Sequence, residues 1–213
     1  MFPAGSQSSL NPVVTAGRLT LRFVLLAALL LVSILLAVRL GAVSLSLREI
    51  VDGVTGRGEP TTVAIVRQLR LPRALQAALV GAALSLSGAT FQALVRNPLA
   101  EPYILGVSSG AAVGAVAAIV LGLGLGGMWG VPLAAFAGAL LAITLVFRIA
   151  YGVGAALDAH VLLLAGVVVG AFFNAAILLL LTLSDVESFR SAMFWMMGSN
   201  AGASWRSVLL LAA

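Results

Sequence analysis

Residues 70–115 read RLPRALQAALVGAALSLSGATFQALVRNPLAEPYILGVSSGAAVGA, and their pattern decides the fold class. Arg70 and Arg73 lead into an apolar run, a polar break follows at Arg96, Asn97 and Pro98, and a second apolar run is rich in glycine. A helix of about 20 apolar residues crosses the hydrocarbon core of a bilayer. Asn97 tolerates a left-handed helix cap and Pro98 cannot extend the hydrogen-bond ladder, so the first run is expected to stop there. Within that run Gly81, Ser85, Gly88 and Gln92 are spaced by four, three and four. That spacing places them on one helical face, small and polar and ending in an amide.

The whole chain fits this reading. Its 213 residues are 62% hydrophobic and 9% charged, whereas soluble domains carry about a quarter charged residues. Too little polar surface exists to cover a water-soluble globule, so the bilayer is the solvent for most of the chain. The net charge of +5 rests on arginines that sit between apolar runs, not along one stripe, which argues against nucleic-acid binding. Cysteine is absent, which removes disulfides and thiol metal sites. Lysine is absent too, so no Walker A phosphate loop exists. If ATP drives this protein, another subunit hydrolyses it.

Residues 1–18 read as a tail. Residues 19–213 read as one transmembrane domain, with spans at about 19–40, 73–95, 106–121, 131–151, 160–183 and a partial one at 205–213, after which the natural chain is expected to continue. Pro72 suits the first turn of the second span. The polar segment 41–72 holds Ser46 and Glu49 at capping-box spacing, followed by Leu47, Ile50, Val51 and Val54 at helical spacing, which predicts a short surface helix.

Further helical faces follow the same pattern. Gly106, Gly110, Gly114 and Ala118 are four apart, as are Gly166, Gly170 and Asn174. Small residues at this spacing let helix backbones approach closely. Gln92 and Asn174 each require a partner helix or a wet cavity, because an unpaired amide in hydrocarbon is costly. Arg67, Arg70 and Arg73 recur every three residues and can cluster at a membrane surface, where carboxylates or lipid headgroups would meet them.

Other signals carry little. Gly122, Gly124 and Gly127 match GxGxxG but lie between apolar helices rather than in a βαβ unit. His160 is the only histidine, so no metal centre is expected. Ser108 and Ser109 have no evident base, and no residue is expected to be catalytic. Trp195 and Trp205 read as interfacial aromatics.

The run at 70–115, together with FWMMGSNAGASW at 194–205 and LLLAGVVVG at 162–170, resembles the FecCD family of ABC transporter permeases. These are membrane subunits of bacterial importers for iron–siderophore complexes, haem and vitamin B12. The resemblance implies an all-α integral membrane protein: a polytopic helix bundle of the ten-span type II importer class, in the bacterial cell membrane. It implies a second permease subunit, identical or different, two ATP-binding cassette subunits at the cytoplasm and a periplasmic or lipoprotein substrate-binding protein. It implies no cofactor bound by this chain, with ATP used by the partner subunit. Iron–siderophore complexes are the first expectation for the cargo, and vitamin B12 or haem the alternative. An ion-coupled secondary transporter is disfavoured, because no span carries a charge in its middle.

The resemblance also implies roles. Arg70 and Arg73 would face outward and receive acidic groups of the binding protein. Asn97, Pro98 and Leu99 would belong to the cytoplasmic gate. Gly166, Gly170 and Asn174 would line the path. The face of Gly81, Ser85, Gly88 and Gln92, read from its spacing, is expected to pack helices or line the path. The family keeps its N-terminus in the cytoplasm, whereas the positive-inside count alone favours the opposite orientation.

Overall fold

The computed structural model describes residues 16–98, 101–123, 129–152 and 159–212. Among these the regular structure is helical throughout: α1 (Ala16–Arg39), α2 (Leu47–Thr55), α3 (Pro60–Ala64), a π-turn (Ile65–Arg70), α4 (Leu71–Val95), a 3₁₀ turn (Pro102–Leu105), α5 (Val107–Val120), α6 (Gly130–Gly152), α7 (Ala159–Leu183), α8 (Val186–Met197) and α9 (Trp205–Ala212). Four helical runs among the described residues are long and apolar enough to cross a membrane: Gly17–Arg39, Pro60–Val95, Gly130–Gly152 and His160–Leu183. Helix α5, at 14 residues, is about 21 Å long by its rise of about 1.5 Å per residue. That is shorter than the hydrocarbon core of about 30 Å. Apolar helices still hold hydroxyls, and these are satisfied locally. Ser33, Ser85, Thr90, Thr144 and Thr182 each donate to the carbonyl one turn earlier, which avoids an unpaired polar group in lipid.

The chain forms two compact units. The first comprises α1 to α3, the π-turn, the start of α4, and α9. Its core is Val38, Leu45, Ile50, Val66 and Ala74. Helix α2 is where the capping-box spacing placed it. Ser46 Oγ accepts from the Glu49 N–H, and the Glu49 carboxylate accepts from the Ser46 N–H at 2.8 Å. Those Ser46 bonds, led by the one from its hydroxyl, hold the Glu49 carboxyl below its usual range. The helix stops at Gly56, whose φ of 78° is the left-handed conformation that glycine adopts freely. Ile50 and Gly53 face inward, and a Cβ at Gly53 would lie 2.8 Å from Val66 Cγ2.

One expectation fails here. The helical run begins at Pro60, so Pro72 lies inside it and not in its first turn. A proline in a helix interior removes a hydrogen bond and crowds the preceding turn. The π-turn before it absorbs this. Leu71 N–H bonds back to Val66 O in π register, and the next donor in that register, Pro72, has no N–H. Its acceptor would have been Arg67 O, which instead accepts from Trp205 Nε1 at 2.9 Å. Trp205 therefore repairs a backbone defect that Pro72 creates.

The second unit comprises the rest of α4, the 3₁₀ turn and α5 to α8. Ala142, Val146, Ala165, Val169 and Phe173 join α6 to α7. Val116, Ile177 and Ala192 join α5, α7 and α8. Asp185 caps α8, accepting from the Glu187 and Ser188 N–H groups, each at 2.9 Å. The Ser188 N–H foremost holds its carboxyl low.

Candidate functional site

The π-turn directs two arginines to the ends of two other helices. Arg70 Nη1 donates to Val38 O at 2.8 Å and Arg39 O at 2.9 Å, and Nη2 donates to Val43 O. Arg67 donates through Nε and Nη2 to Val54 O at 3.0 and 2.6 Å. Val38, Arg39 and Val54 lie in the last turns of α1 and α2. Carbonyls there lack intrahelical donors and carry the negative end of the macrodipole. Glycine makes room for both side chains. A Cβ at Gly41 would lie 2.9 Å from Arg70 Nη2, and one at Gly56 would lie 3.1 Å from Arg67 Nη2. Arg70 is half-buried and Arg73 is exposed. The three arginines thus share one short segment, but the guanidiniums of Arg67 and Arg70 turn to different backbone targets.

In the second unit the glycine stripes fall into two kinds. Those on α5, and Gly166 on α7, are tightly packed. A Cβ at Gly110 would sit 2.5 Å from Gly138 O, one at Gly114 2.1 Å from Ala134 O, and one at Gly138 2.1 Å from Gly110 O. Gly166 presses on the 3₁₀ turn, its imagined Cβ 2.4 Å from Ile104 O. Gly106 is constrained twice, by a φ of 71° and by Gly166 O at 3.1 Å from its imagined Cβ. The α4 face differs: a Cβ at Gly81 or Gly88 would meet nothing within 4 Å. Ser85 on that face bonds Gly81 O, and Gln92 is exposed. Gly138 is absent from the sequence-based stripes, although Ala134, Gly138 and Ala142 show the same spacing of four.

Helix α4 ends at Val95 with the reciprocal bonds of a Schellman cap. Arg96 N–H bonds Ala93 O at 3.3 Å and Asn97 N–H bonds Gln92 O at 3.1 Å. The left-handed residue is Arg96, with φ 53°, and not Asn97 as its side chain predicted. Asn97 follows as the second cap residue, and Pro98 then blocks continuation. Leu99 lies outside the described residues, as do Gly124 and Gly127. A side chain in the left-handed region costs about 1–2 kcal/mol, and glycine loses about 0.5–1 kcal/mol of that gain through chain entropy. Arg96→Gly is therefore expected to stabilise the protein by up to about 1 kcal/mol, read as a higher unfolding midpoint in detergent. A neutral or lower midpoint would show that Arg96 is held there by contacts that outweigh the strain.

Next to this cap a cavity of about 400 Å³ is lined by Phe91, Leu94, Arg96, Leu105, Phe147 and Leu162 among others, and is mainly apolar. Two shallower notches lie at the crossing of the 3₁₀ turn, α5 and α7, of about 370 and 350 Å³. Tyr103, Ser109 and Asn174 line both. Ser108 and Trp195 line the first, and Gly166 and Gly170 the second. Ser109 is buried and donates to Gly106 O at 3.1 Å. The structure thus brings Gly166, Gly170 and Asn174 together at one concave place, with Tyr103 and Trp195, which the sequence did not link to them. Among the described residues no three His, Cys, Asp or Glu side chains are grouped to hold a metal.

Comparison with known proteins agrees with this architecture. The FecCD transport family matches residues 29–213. The vitamin B12 import system permease protein BtuC of Shigella boydii is 43% identical over 188 residues, covering 88% of this chain and 55% of the relative. The protein of the same name from Escherichia coli O1:K1 is 44% identical over 162 residues, covering 76% of this chain and 48% of the relative. The chain thus spans about half the length of these relatives. A solved metal-chelate type ABC transporter in an inward-facing conformation matches with a TM-score of 0.75 and 32% identity, over 89% of this chain and 57% of the other. The all-helical permease fold inferred from residues 70–115 is thereby borne out, and so is the family resemblance. The chain belongs to the FecCD transport family and is a multi-pass, all-α protein of the bacterial cell membrane.

Proposed function

We propose that this chain contributes to the translocating subunit of a binding-protein-dependent ABC importer, and that the cargo is a vitamin B12-type corrinoid. The observation that carries this reading is identity of 43–44% to permeases named for vitamin B12 import. Iron–siderophore complexes, the first expectation from the sequence, become the second reading. Similarity to a metal-chelate type transporter at 32% identity favours it.

In this mechanism the chain performs no chemistry. A loaded substrate-binding protein docks at the end carrying Arg73. Partner subunits bind and hydrolyse ATP, and a second permease subunit completes the path. The open small-residue face of α4 and the notch at Gly170 and Asn174 lie along that path. The α4 cap at Asn97 and Pro98 forms part of the gate, together with Leu99, and the strained Arg96 beside it is a place where a small rearrangement costs little. A wide path lined by apolar and small groups suits a large amphipathic cargo better than a tight polar site does.

The test is ATP-dependent uptake into proteoliposomes holding the complete transporter and its binding protein. Cyanocobalamin is expected to enter and to be unaffected by excess ferric siderophore. Uptake of ferric siderophore with no cyanocobalamin transport would replace the corrinoid reading with the second one.

A further inference from the structure

Pro72 lies within the apolar helical run Pro60–Val95 and is fully buried. Prolines and π-turns are the places where long helices kink, and here the two adjoin. A carbonyl freed inside a membrane-spanning run has no water to turn to, so a neighbouring helix must supply the lost donor. The Trp205 indole does so at Arg67 O. A second tie lies past the proline, where Ser207 Oγ donates to Gln76 Oε1 at 2.7 Å. The single hydrogen of that hydroxyl has Ser204 O, also at 2.7 Å, as its other acceptor. Its oxygen accepts from the Ser204 N–H at 2.9 Å, so the tie is part of the cap of α9. Arg67 precedes Pro72 by five residues and Gln76 follows it by four. The first turn of α9 thus holds the run on both sides of the break, and the buried Ala203 and Val208 seat that turn.

We infer that the first turn of α9 is a splint across this break, and that the head of α4 bends at Pro72 only when the splint lifts. The π-turn and the opening turns of α4 then move with α9 as one piece. A displacement of α9 is passed on through Trp205 and Ser207 instead of being lost at the break. Two features make the splint movable. Each tie is a neutral hydrogen bond, worth only about fivefold in an equilibrium, and Trp205 keeps 43% of its surface exposed.

The test uses the permease in nanodiscs and needs neither cargo nor partner. The chain holds no cysteine, so spin labels at the exposed positions Thr61 and Ala77 read the bend directly. A straight helix would separate these positions by about 24 Å. Wild type is expected to give one narrow distance, and Trp205→Phe to add a shorter population. Hydrogen exchange of the amides of residues 68–76 is expected to rise about fivefold in Trp205→Phe, and Ser207→Ala should raise it too. If Trp205→Phe fails to assemble, a tryptophan analogue with sulfur in place of the indole N–H carries the test, since it removes the donor alone.

Pro72→Ala separates the splint from simple packing. Alanine there restores a backbone donor to Arg67 O, from its own N–H in π register or from the Leu71 N–H in α register. In that background Trp205→Phe is expected to leave exchange and distance unchanged. An equal rise with proline or alanine at position 72 would overturn the inference, because the indole would then act through its bulk. Wild-type exchange in both Trp205→Phe and the sulfur analogue would overturn it as well. So would raised exchange with an unchanged label distance, since the bond would then protect the turn without holding its direction.

Discussion

Gly138→Ala is expected to destabilise the protein by about 3 kcal/mol or more, against the sign that helix propensity predicts. In an exposed helix, alanine for glycine gains about 1 kcal/mol. At Gly138 the added methyl would sit 2.1 Å from Gly110 O and 3.0 Å from Gly110 C. Both are backbone atoms of α5, so no side-chain rotation relieves the clash. The two helices must separate, and overpacking of this kind costs about 1–3 kcal/mol and sometimes more. Separation also opens the contacts of Gly114 with Ala134 and of Gly110 with Ala142. Gly81→Ala is the control. Nothing lies within 4 Å of its imagined Cβ, so propensity decides and a gain of up to about 1 kcal/mol is expected. Denaturant titration of the chain in mixed micelles reads both. Equal effects of the two substitutions would mean that the α5–α6 approach is looser than described.

Arg73→Glu in the complete transporter is expected to lower the affinity of the substrate-binding protein by about a hundredfold. Losing one member of a hydrogen-bonded charge pair that the interface buries costs about 2–5 kcal/mol, and a hundredfold corresponds to about 2.7 kcal/mol. The exposed position of Arg73, two residues past Leu71 where α4 begins, leaves its side chain reachable. The measurement is equilibrium binding at two salt concentrations. Affinity and salt dependence both equal to wild type would remove Arg73 from the docking surface.

Several features were legible because they depend on neighbours in the chain. The capping box of Ser46 and Glu49 needs only its own four residues. The stop at Arg96, Asn97 and Pro98 was readable for the same reason, although the left-handed position fell on Arg96. The choice between Arg96 and Asn97 depends on which carbonyls of α4 the two amides reach, and intrinsic side-chain preference does not settle that. Pro72 was misplaced because a proline usually opens a helix, and the compensating donor, the indole of Trp205, comes from 138 residues away from the π-turn.

The glycine stripes illustrate the division most clearly. From sequence, the stripe of Gly81 and Gly88 and the stripe of Gly110 and Gly114 are equivalent. In the structure one faces open space and the other meets backbone at 2.1–2.5 Å. Spacing shows that a face is small; only the position of the opposing helix shows what the smallness admits.

The sequence by itself determined that lipid is the solvent, that the chain is helical, where its apolar runs break and which family it belongs to. The first three follow from composition or from local order, because apolar content and turn chemistry act over a few residues; the family follows from the likeness of whole stretches, 70–115 above all, to its members. Only the tertiary structure decided where Arg67 and Arg70 point, which glycines are in close contact and how Asn174 comes to share a notch with Tyr103. Those are set by partners far away in the chain, whose distances no local pattern encodes.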